Sequence, residues 1–172
     1  MRHLKTTTHP EVNPSGSSFV RRACRGIVLR ERQILLLYTA RYDDYSLPGG
    51  GVDEGESLLV GLRREMREEA GAQQLNNIVS FGLYREFRPW HKGGFDTVQM
   101  DSYCYQVELQ GELVAPSLET YEQQNGMHPL WIDIDEAIAH NRAVMAHSEK
   151  CGLSIVRETY LLGLIAEELL AD

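Results

Sequence analysis

Residues 50–72 read GGVDEGESLLVGLRREMREEAGA, a glycine-rich turn followed by a run of mixed basic and acidic residues. Apolar residues recur at helical spacing over residues 57–70, which predicts a helix there. Gly71 fits the position just after a helix end, where φ is often positive. Three carboxylates, those of Glu65, Glu68 and Glu69, crowd the carboxyl-terminal end of this predicted helix.

The predicted helix places a carboxylate where an apolar side chain is expected. On a helical wheel Glu69 falls within the apolar arc, and Glu65 and Glu68 lie beside it. A buried carboxylate is costly unless it is neutralised. Glu65 and Glu69 are also like charges at i,i+4, which costs about 0.2–0.5 kcal/mol, and they lie at the helix end that disfavours anions.

A bound cation would offset all three penalties. Because the ligands are oxygens only, Mg²⁺ or Mn²⁺ is favoured over zinc. The alternative is a solvated face of glutamates and arginines, with Arg64 and Glu68 as an i,i+4 pair. For a helix of this composition taken at random the solvated face is the commoner case, and the position of Glu69 shifts the balance toward a metal site without deciding it.

The composition is that of one globular domain. The chain has 172 residues, of which 42% are hydrophobic and 24% charged, and both fractions are ordinary for such a domain. The net charge of −8 argues against a nucleic-acid partner, because affinity for phosphate chains comes from excess lysine and arginine. A small anionic substrate remains compatible, since bound metal ions reverse the local field.

Cysteine usage and hydropathy predict a cytoplasmic protein. Cys24, Cys104 and Cys151 are odd in number, far apart and in no metal-ligand spacing, which favours reduced thiols. No run approaches the roughly 20 apolar residues of a membrane span. Arg2 and Lys5 are not followed by an apolar segment, so no signal peptide and no membrane association are expected.

The chain divides into a short polar segment and one larger unit. Residues 1–18 carry two prolines and a Ser-Gly-Ser-Ser run, which predicts a flexible N-terminal arm. The domain proper is expected over residues 19–172. Strands are predicted at 22–29, 33–38, 77–87, 97–109 and 129–134, a loop at 45–51, a helix from a cap at Asp135 to about residue 141, and a long helix at 153–170.

The full spacing of the first stretch resembles the Nudix box, G-x5-E-x7-R-E-U-x-E-E-x-G-U, where U is aliphatic. The matching positions are Gly50, Glu56, Arg64, Glu65, Met66, Glu68, Glu69, Gly71 and Ala72, of which only Ala72 is a weak match. The resemblance implies an α/β fold, an α/β/α sandwich with a mixed β-sheet. It also implies Mg²⁺-dependent hydrolysis of a nucleoside diphosphate linked to a group X, a small-molecule substrate.

The same resemblance implies roles for individual residues. Glu65, Glu68 and Glu69 would be catalytic metal ligands for Mg²⁺, with Mn²⁺ as the alternative, and the Gly50 carbonyl would add a ligand. Glu56 and Arg64 would be a supporting pair. The general base would be a box glutamate or a glutamate in the loop 116–128, where Glu122 is favoured over Glu119 because it is nearer the next strand; an exposed loop glutamate is the alternative for either.

Candidate substrate-binding residues lie outside the box. Arg88 and Trp90 belong to a segment that interleaves basic and aromatic side chains, suited to stacking a base and pairing with phosphate; a hairpin loop with surface charge fits equally. Arg41 and Tyr45 precede the box and could line the mouth of a pocket. Arg25 could reach a phosphate or pair with a carboxylate. The substrate itself is left open.

Two alternatives to a hydrolase are a non-catalytic binding module and a calcium loop or P-loop. A non-catalytic module of the same fold that binds a nucleotide or ADP-ribose is less favoured, because such modules usually lose box glutamates and this chain keeps them. A calcium loop or a P-loop fails on spacing. The polar N-terminal segment and the long last helix are compatible with a homodimer.

Overall fold

The computed structural model describes residues 1–171, which form eight strands and four helices. In chain order these are β1 (His3–Thr8), β2 (Ser18–Ile27), β3 (Leu29–Arg30), β4 (Gln33–Thr39), β5 (Asp44–Ser46), α1 (Leu58–Ala70), β6 (Gln74–Pro89), β7 (Thr97–Gln110), α2 (Thr120–Gln124), β8 (Met127–Asp133), α3 (Ile134–His147) and α4 (Ile155–Leu169). None of the helices within residues 1–171 has both the length and the apolar character needed to cross a membrane.

The strands form two four-stranded sheets. The first has the order β1-β6-β7-β2, in which β6 and β7 are antiparallel while β1 and β2 run parallel to their neighbours. In the second, β4 pairs antiparallel with β3, β5 and β8. The first sheet is therefore mixed, and the second brings the short strand β5 beside the loop that precedes α1.

Side chains of β4 alternate between two cores. Ile34 and Leu36 pack in a core that includes residues of α3 and α4. Leu35, which points the opposite way, packs in a second core with Leu62 and Met66 of α1. All five side chains are fully buried. Helices thus cover both faces of this sheet, and the prediction of an α/β fold with a mixed β-sheet is confirmed.

Residues 3–8 do not form the flexible arm expected over residues 1–18. They form β1, which pairs parallel with β6, so that Thr6 lies opposite Arg85. Arg2 Nε donates a hydrogen bond to the Phe81 carbonyl at 3.0 Å, and Leu4 packs against the first core. The prediction is wrong for these residues because the strand that holds them lies far along the chain.

Two other local predictions are corrected. The helix α3 is capped by Asp133 rather than Asp135: Asp133 Oδ1 accepts the backbone N–H groups of Asp135 and Glu136 at 2.9 and 3.3 Å. That helix continues to His147, beyond the predicted end near residue 141. The predicted strands at 22–29 and 33–38 are neighbours in sequence, but only the short strand β3 pairs with β4, because β2 pairs with β7 instead.

The end of α1 depends on a residue without a side chain. Gly71 has φ 72° and its N–H bonds to the Arg67 carbonyl at 3.1 Å. A Cβ at this position would lie 1.8 Å from the carbonyl oxygen of Val114. We expect Gly71→Ala to lower the free energy of unfolding by about 2–3 kcal/mol or more, measured by urea denaturation.

Gly55→Ala is the matched control for this substitution. Gly55 has φ 79°, but no atom lies within 4 Å of a Cβ built there. Alanine at position 55 would therefore cost only the backbone strain of a positive φ, about 1 kcal/mol. Equal losses of stability in the two variants would show that the contact with Val114 does not matter.

Candidate active site

A cavity of about 910 Å³ lies beside the loop before α1, the polar side of α1, and the start of α4. Its wall carries both signs of charge. The acidic side chains are those of Asp44, Asp53, Glu54, Glu65, Glu68, Glu69, Glu119 and Glu122, and the basic ones are those of Arg21, Arg25, Arg64, Lys92 and Arg157. Such a wall suits an anionic ligand that is held together with a cation.

The loop before α1 is fixed by the backbone of β2. The Cys24 N–H donates to the Gly50 carbonyl at 3.0 Å, and the Gly26 N–H donates to the Pro48 carbonyl at 2.9 Å. Gly49 has φ 132°, and a Cβ there would lie 2.1 Å from the Cys24 carbonyl oxygen. Only glycine permits this close approach of loop and strand.

The glutamates of α1 face this loop. Glu65 and Glu69 are 9% and 5% exposed, and Glu68 is half-buried. Glu69 Oε2 accepts the Gly49 N–H at 2.6 Å, while a Cβ at Gly50 would lie 2.7 Å from Glu65 Oε2. Burial raises the pKa of Glu69 well above its usual range; the Gly49 hydrogen bond opposes this, and the charge of Glu65 adds to it. The prediction that Glu69 lies on the buried face of α1 is confirmed.

Arg64 connects the loop to the helix. Its Nε and Nη2 donate to the two oxygens of Glu56 at 3.1 and 3.0 Å, and Nη2 also donates to the Gly51 carbonyl at 2.9 Å. Nη1 donates to Glu65 Oε1 at 2.7 Å and to Glu68 Oε2 at 3.3 Å. These bonds, led by those to Glu56, raise the pKa of Arg64. The structure therefore brings the Glu56–Arg64 pair together.

The donors on this wall fit a hard divalent cation. They are carboxylate oxygens together with the Gly50 carbonyl, the ligand type that Mg²⁺ and Mn²⁺ prefer. Within residues 1–171 no three acidic, histidine or cysteine side chains are already arranged around one point. Glu65 and Glu68 each accept from Arg64 through one oxygen, which leaves the second oxygen of each carboxylate for an ion.

Glu122 lies in the same cavity rather than in an exposed loop. It is 4% exposed and belongs to the short helix α2. Its Oε2 accepts the Glu119 N–H at 2.7 Å and its Oε1 accepts the Tyr121 hydroxyl at 3.0 Å. Its charge contributes to the raised pKa of Glu69. Glu119 also lines the cavity, but its side chain is exposed.

Of the five candidate substrate-binding residues, the structure brings only Arg25 to the cavity wall. Arg25 Nη1 donates to the Gly49 carbonyl, and its Nε is buried with no hydrogen-bond partner among residues 1–171. The other four lie outside this wall. Arg41 bonds Asn125, Tyr45 packs against Tyr38 and His140, Arg88 bonds Glu86 and Ser154, and Trp90 packs against Phe19.

A buried ionic cluster at the start of α4 also holds the loop before α1, through a hydrogen bond to Leu47. Arg157 is 2% exposed and donates to Glu158 Oε1 at 2.6 Å and to Glu86. Glu158, 0% exposed, accepts the Leu47 N–H at 2.9 Å. Burial favours neutral forms, but the opposite charges prevail, so the pKa of Arg157 is raised and that of Glu158 is lowered.

Sequence reasoning missed Arg157 and Asp44 as cavity residues. Arg157 and Glu158 adjoin in a helix rich in charge, where a solvated pair is the ordinary expectation. Asp44 stands in a short strand without any motif. Lys92, by contrast, belongs to the basic and aromatic segment that includes Arg88 and Trp90, and it is the member of that segment on the cavity wall.

A model of the NUDIX domain family matches residues 20–150 of the chain. A NUDIX hydrolase from Nitrosomonas europaea has a similar structure, with a TM-score of 0.53 and 21% sequence identity; the match covers 83% of this chain and 89% of that one. At this identity the likeness concerns the fold alone.

Two curated relatives match over shorter segments. An RNA pyrophosphohydrolase from Ruthia magnifica is 46% identical over 52 residues, which are 29% of this chain and 29% of the relative. An 8-oxo-(d)GTP phosphatase from Mycolicibacterium smegmatis is 44% identical over 39 residues, which are 23% of this chain and 12% of the relative. The matches thus span less than a third of each relative.

Proposed function

Because the chain belongs to the NUDIX family, we propose that it is a Mg²⁺-dependent pyrophosphohydrolase, for which Mn²⁺ is the alternative ion. Its substrate would be a nucleoside diphosphate joined to a second group X, and water would cleave the diphosphate linkage. The observation that carries the proposal is the placement of Glu65, Glu68 and Glu69 on one cavity wall, against a glycine loop. The curated relatives are named for RNA and for 8-oxo-(d)GTP, so their names leave group X open.

Glu65, Glu68, Glu69 and the Gly50 carbonyl would hold the ion. When bound, Mg²⁺ neutralises the diphosphate and lowers the pKa of water. Arg25 lines the cavity, and its guanidinium would donate to a phosphate oxygen and so orient the phosphorus for attack. Arg64 holds the loop and helix at a fixed separation through its bonds to Glu56 and Gly51.

Glu122 is the proposed general base. Its carboxylate would take a proton from the attacking water, whose oxygen forms a bond to phosphorus. The bridging P–O bond then breaks, and the second phosphate leaves with the electron pair. A glutamate of α1 is the alternative base. No covalent enzyme intermediate is required.

A substrate screen with and without divalent cation tests this function. ATP, ADP-ribose, ADP-glucose and diadenosine tetraphosphate are each incubated with Mg²⁺, with Mn²⁺ and with EDTA. We expect turnover of at least one compound with either ion and none with EDTA. In ¹⁸O-labelled water, one product phosphate should carry a single label, because water attacks phosphorus directly.

Two outcomes would contradict the proposal in different ways. Binding of a nucleotide without turnover under all conditions would favour the non-catalytic module. Turnover that persists in EDTA would contradict the role assigned to the glutamates of α1 as ligands of an ion.

A further inference from the structure

Asp44 is a buried carboxylate on the cavity wall for which residues 1–171 supply no hydrogen-bond or ion-pair partner. It is 5% exposed and lines the cavity. Among residues 1–171 its side chain accepts no hydrogen bond and forms no ion pair, whereas the other buried carboxylates on this wall each accept at least one hydrogen bond. Unlike the Nε atoms of Arg25 and Arg88, the oxygens of Asp44 are not sealed from solvent, so a ligand in the cavity can reach them.

The charges around Asp44 make this arrangement more costly. Burial is the main cause that raises the pKa of Asp44 to about 6, and the negative charges of Glu158 and Asp43 add to the rise. The positive charges of His140 and Arg157 oppose it. Arg157 is already held by Glu86 and Glu158. A buried carboxylate with a raised pKa on a cavity wall is often kept where a ligand supplies its partner.

Neutral polar residues also line the cavity on β4, β5 and the start of α4. Thr39 pairs with Asp44 across β4 and β5, and Ser46, Ser154 and Tyr42 also line the cavity. An ionised carboxylate can only accept hydrogen bonds, so a ligand group that satisfies it must carry N–H or O–H donors. A phosphate group would instead meet a like charge in a partly desolvated site.

We propose that Asp44 is a specificity-determining residue, which binds a hydrogen-bond donor group of the substrate and disfavours a terminal triphosphate. The inference rests on the proposed function and narrows its group X. The donor is either a hydroxyl of a sugar in group X or the amino group of the base, since both offer the same chemistry to a carboxylate.

The test compares Asp44→Asn with the wild type on ADP-glucose and on ATP. The substitution keeps the shape but removes the charge, which lowers kcat/KM for ADP-glucose about five- to tenfold. It relieves the repulsion of the terminal phosphates, so that kcat/KM for ATP stays the same or rises. The ratio of the two values should therefore shift at least about fivefold. An unchanged ratio would overturn the proposal.

IDP-glucose separates the two sources of the donor, because its base lacks the amino group. If Asp44 binds a sugar hydroxyl, Asp44→Asn lowers kcat/KM for IDP-glucose as much as for ADP-glucose. If it binds the base, the effect disappears with IDP-glucose. Both results support a donor contact. An Asp44→Asn variant that keeps the wild-type kcat/KM for both compounds would overturn it.

The melting temperature gives a second measurement that does not depend on turnover. Asp44→Asn removes an unpaired buried charge, so its Tm at pH 7.5 should equal or exceed that of the wild type; Asp44→Ser is the second variant should the amide not fold. Asp135→Asn, an exposed carboxylate in α3, is the matched control and should leave the ratio unchanged.

Calorimetry with the α,β-methylene analogue of ADP-glucose distinguishes failure of this inference from failure of the proposed function. If the wild type hydrolyses none of the compounds, the proposed function fails, and weaker binding of the analogue to Asp44→Asn still supports the contact. Equal binding by both proteins would contradict it.

Discussion

Glu69→Gln is expected to lower kcat by about 10³-fold or more in the presence of Mg²⁺, equivalent to about 4 kcal/mol of transition-state stabilisation. Glutamine removes the charge that the cation needs. Its side-chain oxygen can still accept the Gly49 N–H that Glu69 accepts in the structure. Steady-state kinetics on the substrate found in the screen measure the loss.

The fold is expected to survive this substitution. Glu69 is buried and burial raises its pKa, so an ionised carboxylate costs stability in the absence of an ion. The neutral amide should leave Tm unchanged or raise it. Direct titration of Mn²⁺ should show weaker binding than in the wild type. Wild-type activity in this variant would refute the assignment of Glu69 as a ligand.

Glu167→Gln is the matched control on another helix. Glu167 is exposed on α4, away from the cavity wall, so the same chemical change should alter neither kcat nor Mn²⁺ affinity. A comparable loss in both variants would indicate a general effect of charge on the protein rather than loss of a ligand.

The parts of the site that sequence reasoning predicted are those within one local segment. Glu65 and Glu69 could be placed because helical periodicity alone decides which face of α1 they occupy, and both are buried there. The pairing of Arg64 with Glu56 is expected from the resemblance to the Nudix box, in which both positions belong to one short motif. Gly71 is recognisable because a helix end has its own backbone geometry.

The parts that escaped prediction depend on contacts between distant segments. The Leu47 N–H donates a hydrogen bond to Glu158, 111 positions further along the chain. Nothing in the sequence near Glu158 distinguishes it from an exposed surface glutamate. β1 forms only because β6 offers it a free edge. The raised pKa of Asp44 depends on its burial and on Glu158 of α4. Both are properties of the assembled fold and not of the local sequence.

Glu158→Ala is expected to lower the free energy of unfolding by about 3–5 kcal/mol. The substitution leaves the buried Arg157 with Glu86 alone, which Arg88 already shares. It also leaves the Leu47 N–H without its acceptor. Urea denaturation at pH 7.5 measures the loss, and Glu167→Ala on the exposed side of α4 should change stability by no more than about 0.5 kcal/mol.

The pH dependence of this loss separates ion pairing from packing. The pKa of Glu158 is lowered in the folded protein, mainly because the charge of Arg157 outweighs burial. The ion pair therefore contributes fully above the unfolded pKa of about 4.3 and is lost as pH falls through the folded value. The stability difference between wild type and Glu158→Ala should shrink below about pH 4. A difference independent of pH would mean that Glu158 stabilises α4 by packing alone, and that its charge does not hold the loop at Leu47.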